Sequence, residues 1–382
     1  MSGTGFVNTN MSMLMKNLSK VNKSVPTSGG TLMKSILLLF ATTLLTSAMS
    51  PAQEKTNATQ NEQYPKISLG SLMYVQYDWE MTNRNNYNAF DITRSYINFL
   101  AELDKNVKFR LTPDIGAHLT SSGGTTNYDG SAIFRLKYAF VELDNFIGDR
   151  SWLRIGLHQT PWLDFEESIN RYRVQGTMFS ERIGIVPGSS DYGIGYLVKF
   201  LGDFGEFNTS IVNGEGFKYP ESNKYKSLQS RVTIRPFSTP TINGLRISLF
   251  GDLGRYDAGK NRNHWIGFVS FENPYFVGTA QYLQAWEQPG TVEYHRDGYS
   301  LFGELRPWGK PEGFAFFGRF DHFDPNTAIS GDSQNRAIAG GAYWSNWGKV
   351  KLGYVLNYEH VSYEVGSKPN EDRLLFQIHV GF

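Results

Sequence analysis

Along most of this chain, hydrophobic residues recur at every second position in short segments. In "VKFRLTPD", Val107, Phe109 and Leu111 share one side, while Lys108, Arg110, Thr112 and Asp114 share the other. "SWLRIGLHQ" sets Leu153, Ile155 and Leu157 against Arg154, Gly156 and His158. Nearer the end, Val350, Leu352, Tyr354, Leu356 and Tyr358 oppose Lys351, Gly353, Asn357 and Glu359. The final "LLFQIHVGF" keeps the rule to the last residue, with Leu374, Phe376, Ile378, Val380 and Phe382 on one face. Period-two alternation predicts strands with one apolar and one polar side. Chain ends ordinarily fray, so a strand that runs to a terminal aromatic requires a partner that holds it.

About sixteen such strands are predicted, near 67–79, 90–103, 107–116, 131–143, 152–160, 191–201, 206–213, 227–235, 244–254, 264–270, 275–285, 297–306, 314–323, 337–344, 349–360 and 373–382. The connections alternate strictly between short ones, such as 104–106, 202–205 and 345–348, and long ones, such as 80–89, 117–130, 161–190, 214–226 and 361–372. Both chain ends fall on the short side. An even number of antiparallel strands with short periplasmic turns and longer external loops is the pattern of an outer-membrane barrel. In hydrocarbon every backbone N–H and C=O must be paired within the protein, so a sheet crosses only when it closes without a free edge. The fold expected over 67–382 is therefore all-β, a transmembrane antiparallel β-barrel in which the last strand pairs with the first. Trp79, Trp152, Trp308, Trp344 and Trp347 fall at predicted strand ends, where aromatics favour the bilayer–water boundary. A soluble β-sandwich would seal its apolar faces in a core, whereas here charge faces the enclosed side on most strands.

Composition narrows the picture. The chain has 382 residues, 15% aromatic, and no cysteine, which removes disulfides, thiolate metal sites and a lipid-anchored N-terminal cysteine. "MKSILLLFATTLLTSAMSPAQ" has the charged, apolar and small-residue order of a secretory signal, with cleavage after Ala52, or after Ala48 as second choice. Residues 33–52 are thus expected to be a signal peptide. Met33 then reads as the natural start, residues 1–32 as an extension or start-site misassignment, and 53–66 as a periplasmic N-terminal segment. Removing 1–52 takes away four lysines and no acid, leaving 33 basic residues against 36 acidic from the 37 and 36 of the whole chain. That balance argues against nucleic acid as a partner.

Several segments carry a family resemblance. "DITRSYINFLAELDKNVKFRLTPDIG", "RLKYAFVEL" and "LRIGLHQTPWLDFEES" running to "MFSERIG" resemble, in order and spacing, the opening third of the phosphate-selective porin O/P family of Gram-negative bacteria. "RVTIRPF" and the terminal strand resemble later segments. The resemblance implies a sixteen-stranded homotrimeric porin of the bacterial outer membrane, with an inward-folded third external loop, here about 161–190, that narrows the lumen. It implies passive diffusion of small hydrophilic solutes, among them anions such as phosphate. The ending in Phe382 looks like the signal read by the outer-membrane assembly machinery, and lipopolysaccharide is the expected lipid partner. One departure is that His158, Gln159 and Thr160 precede Pro161-Trp162 where the family commonly carries a pore-facing Lys.

The candidate lining of the constriction combines Lys108, Arg110, Arg135, Lys137, Arg154 and His158 on neighbouring strands with Arg171, Arg173 and Arg182 on the loop. Asp114, Asp164, Glu166 and Glu167 oppose them. The surplus is positive and modest, so modest anion preference is expected, with Arg171 and Arg173 offering planar forks to phosphate or carboxylate oxygens. No H-E-x-x-H, G-x-S-x-G or G-x-x-x-x-G-K-[ST] occurs, and no metal, cofactor or catalytic residue is expected. The alternative is a barrel of protease or lipase type that binds or processes a ligand at its external mouth, for which "FDHFD" supplies Asp321, His322 and Asp324. Neighbouring strand residues point to opposite faces, which separates Asp321 from His322.

Overall fold

The protein is described here by a computed structural model over residues 63–82, 86–122, 125–237, 244–364 and 368–382. The expected extension, the signal peptide and nearly all of the 53–66 segment lie outside the described residues.

Sixteen strands form. They are β1 (Lys66–Glu80), β2 (Asn88–Asp104), β3 (Val107–Ser122), β4 (Thr125–Asp144), β5 (Ser151–Gln159), β6 (Ser190–Phe200), β7 (Gly205–Val212) and β8 (Ser227–Ile234). The second half comprises β9 (Arg246–Asp257), β10 (Lys260–Glu272), β11 (Phe276–Glu287), β12 (Tyr294–Leu305), β13 (Gly313–Asp324), β14 (Gln334–Trp347), β15 (Val350–Tyr363) and β16 (Glu371–Gly381). Each pairs with its sequence neighbours and β1 pairs with β16, giving a closed barrel. All contacts between paired strands are antiparallel, from Leu72 opposite Gly381 to Glu80 opposite Arg373 at the closure. The terminal residue is part of that seam: the Phe382 N–H donates to the Ser71 carbonyl at 3.1 Å, and its own oxygen accepts from the Ser71 N–H at 3.0 Å. No described helix is long and apolar enough to cross a membrane; this chain crosses with strands.

The alternation sorts the side chains as expected. Ile155, Ile194, Ile211, Leu249, Leu301 and Leu356 are exposed on the outer wall, while Thr112, Gln229, Thr233, Asp252 and Gln377 are buried inside. Leu157, expected beside Ile155 on the apolar face, is instead enclosed. It follows Gly156, whose φ of +125° is a left-handed conformation that departs from the regular pleat.

Three features differ from the sequence reading. The connections do not alternate strictly: β9 and β10 are joined at the external end by two residues, Ala258 and Gly259, whereas the periplasmic connection from β8 to β9 spans 235–245. Gly259 takes φ +76°, the conformation a tight hairpin needs. The expected 117–130 loop is also mostly strand, because the Thr- and Ser-rich stretches on either side of 123–124 pair with each other up to Ser122 opposite Thr125, and Thr is a strand former. Finally, two of the tryptophans expected at the bilayer boundary turn inward. Trp344 is enclosed, and the Trp152 ring lies under the Arg154 guanidinium, whereas Trp79, Trp308 and Trp347 are exposed.

The enclosed side is not uniformly polar. From β9 to β15 it carries Phe250, Phe268, Leu283, Phe302, Phe317, Ile338 and Val355, all buried in one apolar cluster with residues of the β5–β6 connection. That connection is what positions the candidate site.

Candidate constriction site

After β5 the chain turns into the barrel at a neck where the Thr160 N–H donates to the Ser189 carbonyl at 3.1 Å and the Thr160 hydroxyl donates to the Gly188 carbonyl at 3.2 Å. Between these ends lie a helix, α1 (Leu163–Ile169), a 3-10 turn (Tyr172–Val174) and one further helical turn, α2 (Phe179–Arg182). Pro161 tends to push the residue before it out of helical conformation and so favours a start after it. Leu163, Glu166 and Ile169 recur at helical spacing and are the buried residues of α1. Trp162 packs among Phe165, Phe250 and Phe268, with ring centroids 5.4–5.9 Å away. Tyr172 stacks on Phe317 at 4.0 Å and donates its hydroxyl to Glu304 at 2.9 Å. The loop is thereby fastened to the β9–β15 wall, and the face of α1 that bears Asp164 and Glu167 looks the other way.

Opposite that face stand cations on β2 to β5. Arg94, which the sequence reading passed over, pairs with Glu167 at 3.2 Å. Arg110 binds the Asn98 side-chain oxygen at 2.8 Å and lies 4.3 Å from the centre of the Tyr138 ring. Lys137 is enclosed, donates to the Tyr96 hydroxyl at 2.5 Å and sits over the Tyr96 and Tyr138 rings. Arg154 pairs with Glu142 at 2.6 Å while resting on Trp152 at 4.0 Å and on Phe140 at 4.9 Å. Lys108 pairs with Asp144 at 2.5 Å, and Arg135 with Asp114 at 3.5 Å. Arg94, Arg110, Lys137 and Arg154 on this wall are thus bedded on aromatic faces, each contact favourable by about 0.5–2 kcal/mol according to its desolvation. A weak signal for it existed in the alternation of Arg94 with Tyr96 across Ser95.

The remaining expected residues divide. His158 is fully enclosed at the root of the loop, with Nδ1 2.9 Å from the Gln159 carbonyl. Its ring packs so closely on Gly195 that a Cβ there would approach to 2.7 Å; it fills the wall and does not reach the open lumen. Arg171 is held by Glu304, by the Pro311 carbonyl at 2.6 Å and by the Trp344 ring at 4.4 Å. Arg173 spans Glu167 and Glu181, at 2.8 Å each. Arg182 is half-buried and, among the described residues, has no carboxylate within ion-pair distance. Of the opposing acids, Glu166 does not face the cations: it accepts from Trp162 Nε1 at 3.0 Å on the seam side of α1.

The loop acids are held in different states. Burial pushes Glu166 up to about 7, with Arg319 only partly offsetting it. Burial acts in the same direction on Glu167, but Arg94 and Arg173 outweigh it and hold the carboxyl down at about 2. Asp164 is exposed at the surface of α1, and the protein packed around it raises its carboxyl against the pull of Arg154 and Arg110. Glu167 is therefore a fixed anion joined directly to the cationic wall through Arg94.

Asp321 and His322 lie on opposite faces as the strand geometry requires. Asp321 is enclosed, bound to Arg319 and Ser300 at 2.8 and 2.7 Å, whereas His322 stacks on Tyr299 at 5.1 Å and meets Asn335 at 2.8 Å. No dyad is assembled there.

No protein-family model and no curated protein matches this chain. Solved structures do. A loop-deletion mutant of OmpT, an outer membrane protein of Vibrio cholerae, superposes with a TM-score of 0.58 at 8% identity, covering 83% of this chain and 99% of its own. The anion-selective porin from Comamonas acidovorans gives 0.57 at 13%, covering 84% and 100%. Salmonella typhi OmpF in complex with daunomycin gives 0.57 at 11%, covering 83% and 98%. At such identities the likeness is one of fold, that of the porin-type barrel.

Proposed function

We propose that this chain is an outer-membrane porin that lets small hydrophilic solutes diffuse passively, with a modest preference for anions. The observation that carries the reading is a loop folded into a closed barrel, with α1 facing the cations of β2 to β5. A charge acts most strongly on permeation where the lumen is narrow and low-dielectric walls focus its field. Arg94, Lys108, Arg110, Arg135, Lys137 and Arg154 meet Asp114, Glu142, Asp144, Asp164 and Glu167, six cations to five acids, so the positive excess is small.

Arg110 and Arg182, which lack carboxylate partners among the described residues, take the role of solute contacts; Arg171 and Arg173 hold the loop. Phosphate is one candidate solute, since a guanidinium fork suits its oxygens, and the order of segments resembling the phosphate-selective family supports it. The assembly proposed is a homotrimer, in keeping with that resemblance and with the trimer form described for Vibrio cholerae OmpT. Lipopolysaccharide surrounds the external rim, and Phe382 presents the chain to the assembly machinery after export by the 33–52 signal.

Reversal potentials across a KCl gradient in planar bilayers test the reading. The wild type should select anions modestly and less so as salt rises, since the Debye length falls to about 3 Å at 1 M. Arg110→Ala with Arg182→Ala should shift the potential toward cations. A cation-preferring wild type that the double variant leaves unchanged removes the anion claim and leaves a general porin.

A further inference from the structure

At the short-turn end of β1 to β5 the lumen opens into a cavity of about 370 Å³, lined among others by Ser68, Leu100, Lys108, Arg110, Phe140 and Arg154. Resting on the porin reading above, we infer that this cavity is a binding subsite for an organic carboxylate with an apolar body, which solutes occupy on the periplasmic side of the constriction.

Two features inside the cavity point to that class. The first is a cation with no described carboxylate in contact, Asp164 of α1 acting on it only from beyond ion-pair distance. Lys108 and Arg154 have carboxylate partners, but Arg110 has none among the described residues. Its guanidinium is fixed in plane by the Tyr138 ring at 4.3 Å and by Asn98 and Thr112 at 2.8 and 3.1 Å. Such a fork is ready to donate to a carboxylate without first losing its own rotamer freedom.

The second is an apolar side chain left open on the polar face. Leu100 sits directly across the strand pair from Arg110 and shares its inward side, yet remains 40% exposed. Phe140 is buried on the far side of Arg110, beneath Arg154. A carboxylate on Arg110 leaves the adjoining carbon skeleton to lie over Leu100. A bare tetrahedral oxyanion would leave Leu100 uncovered and would fill little of a cavity whose volume is within the range of small-molecule sites, roughly 300–1,000 Å³. Glu102 and Glu142 at the margin disfavour multiply charged anions, which selects a monocarboxylate.

Single-channel recording tests this with acetate, hexanoate and inorganic phosphate at equal ionic strength, each added from one side and then the other. Hexanoate should interrupt the current from the short-turn side at concentrations at least about tenfold below those acetate or phosphate requires, the factor expected when a few methylenes are buried. Arg110→Ala should raise the hexanoate concentration needed by about tenfold. Leu100→Asn should narrow the gap between hexanoate and acetate, which a loss of charge alone would not do. Heat-modifiable mobility in gels verifies that each variant forms the barrel, and Arg110→Lys serves if Arg110→Ala does not. Open channels in which hexanoate blocks no better than acetate, or in which none of these substitutions alters the block, overturn the subsite and leave the porin intact. Absence of any channel current in the folded wild type overturns both.

Discussion

Glu166 and Glu167 are adjacent on one short helix and differ by about five pH units in where they ionise, about 7 against about 2. The cause is direction: one points into the apolar seam, the other at Arg94 and Arg173. The consequences for stability have opposite signs. Glu167 contributes above its ordinary value of 4.5, and that contribution fades as pH falls from there toward 2. Glu166, raised above 4.5, favours the folded loop while protonated, and loop docking weakens as pH rises from 4.5 through 7, by about 3 kcal/mol at 1.36 kcal/mol per pH unit. Urea unfolding at pH 5 and pH 8 should therefore show a larger loss for the wild type than for Glu166→Gln, which keeps the acceptor for Trp162 without the charge. Equal losses would place the titration elsewhere. The sequence showed these charges but not their partners. Arg171 and Glu304 stand 133 positions apart, and nothing in local alternation says that they meet, so the loop arginines read as solute contacts while the folded chain spends two of them on carboxylates.

At the scale of the element, alternation located all sixteen strands because successive side chains point to opposite faces and most strands set an apolar outer face against a polar inner one. Extent was less legible. The sequence over 116–131 is mostly small and polar, so β3 and β4 give no periodic sign of how far they continue, and only backbone pairing carries them on. β16 makes the strongest test. Its last residue contributes two backbone hydrogen bonds to the closure, while its side chain is exposed. Deleting Phe382 removes both and should lower the heat-modifiable, membrane-inserted fraction. Phe382→Asp keeps the backbone pair and should lower that fraction only through recognition of the ending. A lower yield for the deletion alone would mean closure governs insertion; normal insertion of both would make the ending incidental.

At the scale of the whole molecule, the lumen has two unlike halves, and this was the least legible feature. In "WIGFVSF" of β10, Ile266 and Phe268 are enclosed while Val269 is exposed on the outer wall; a strand apolar on both sides does not announce that its inner face will be covered. The cover is the loop, whose Trp162, Leu163, Tyr172, Met178 and Phe179 complete the apolar cluster. On its other side α1 meets the cations of β2 to β5, with Glu167 paired to Arg94. Replacing 163–186 by a short Gly-Ser linker should therefore do two things at once. Conductance should rise several-fold because the obstruction is gone. Stability should fall, because each large apolar side chain uncovered on the far wall forfeits roughly 1.5–3 kcal/mol of burial, and Phe250, Phe268, Leu283, Phe302 and Phe317 all lose their cover. Single-channel conductance and the thermal midpoint in detergent, measured on one preparation, separate the two effects. Unchanged conductance would show that the loop does not set the constriction. Raised conductance at an undiminished midpoint would show that the seam contributes nothing to holding the barrel together, and the loop would then be an obstruction resting on the wall rather than part of its core.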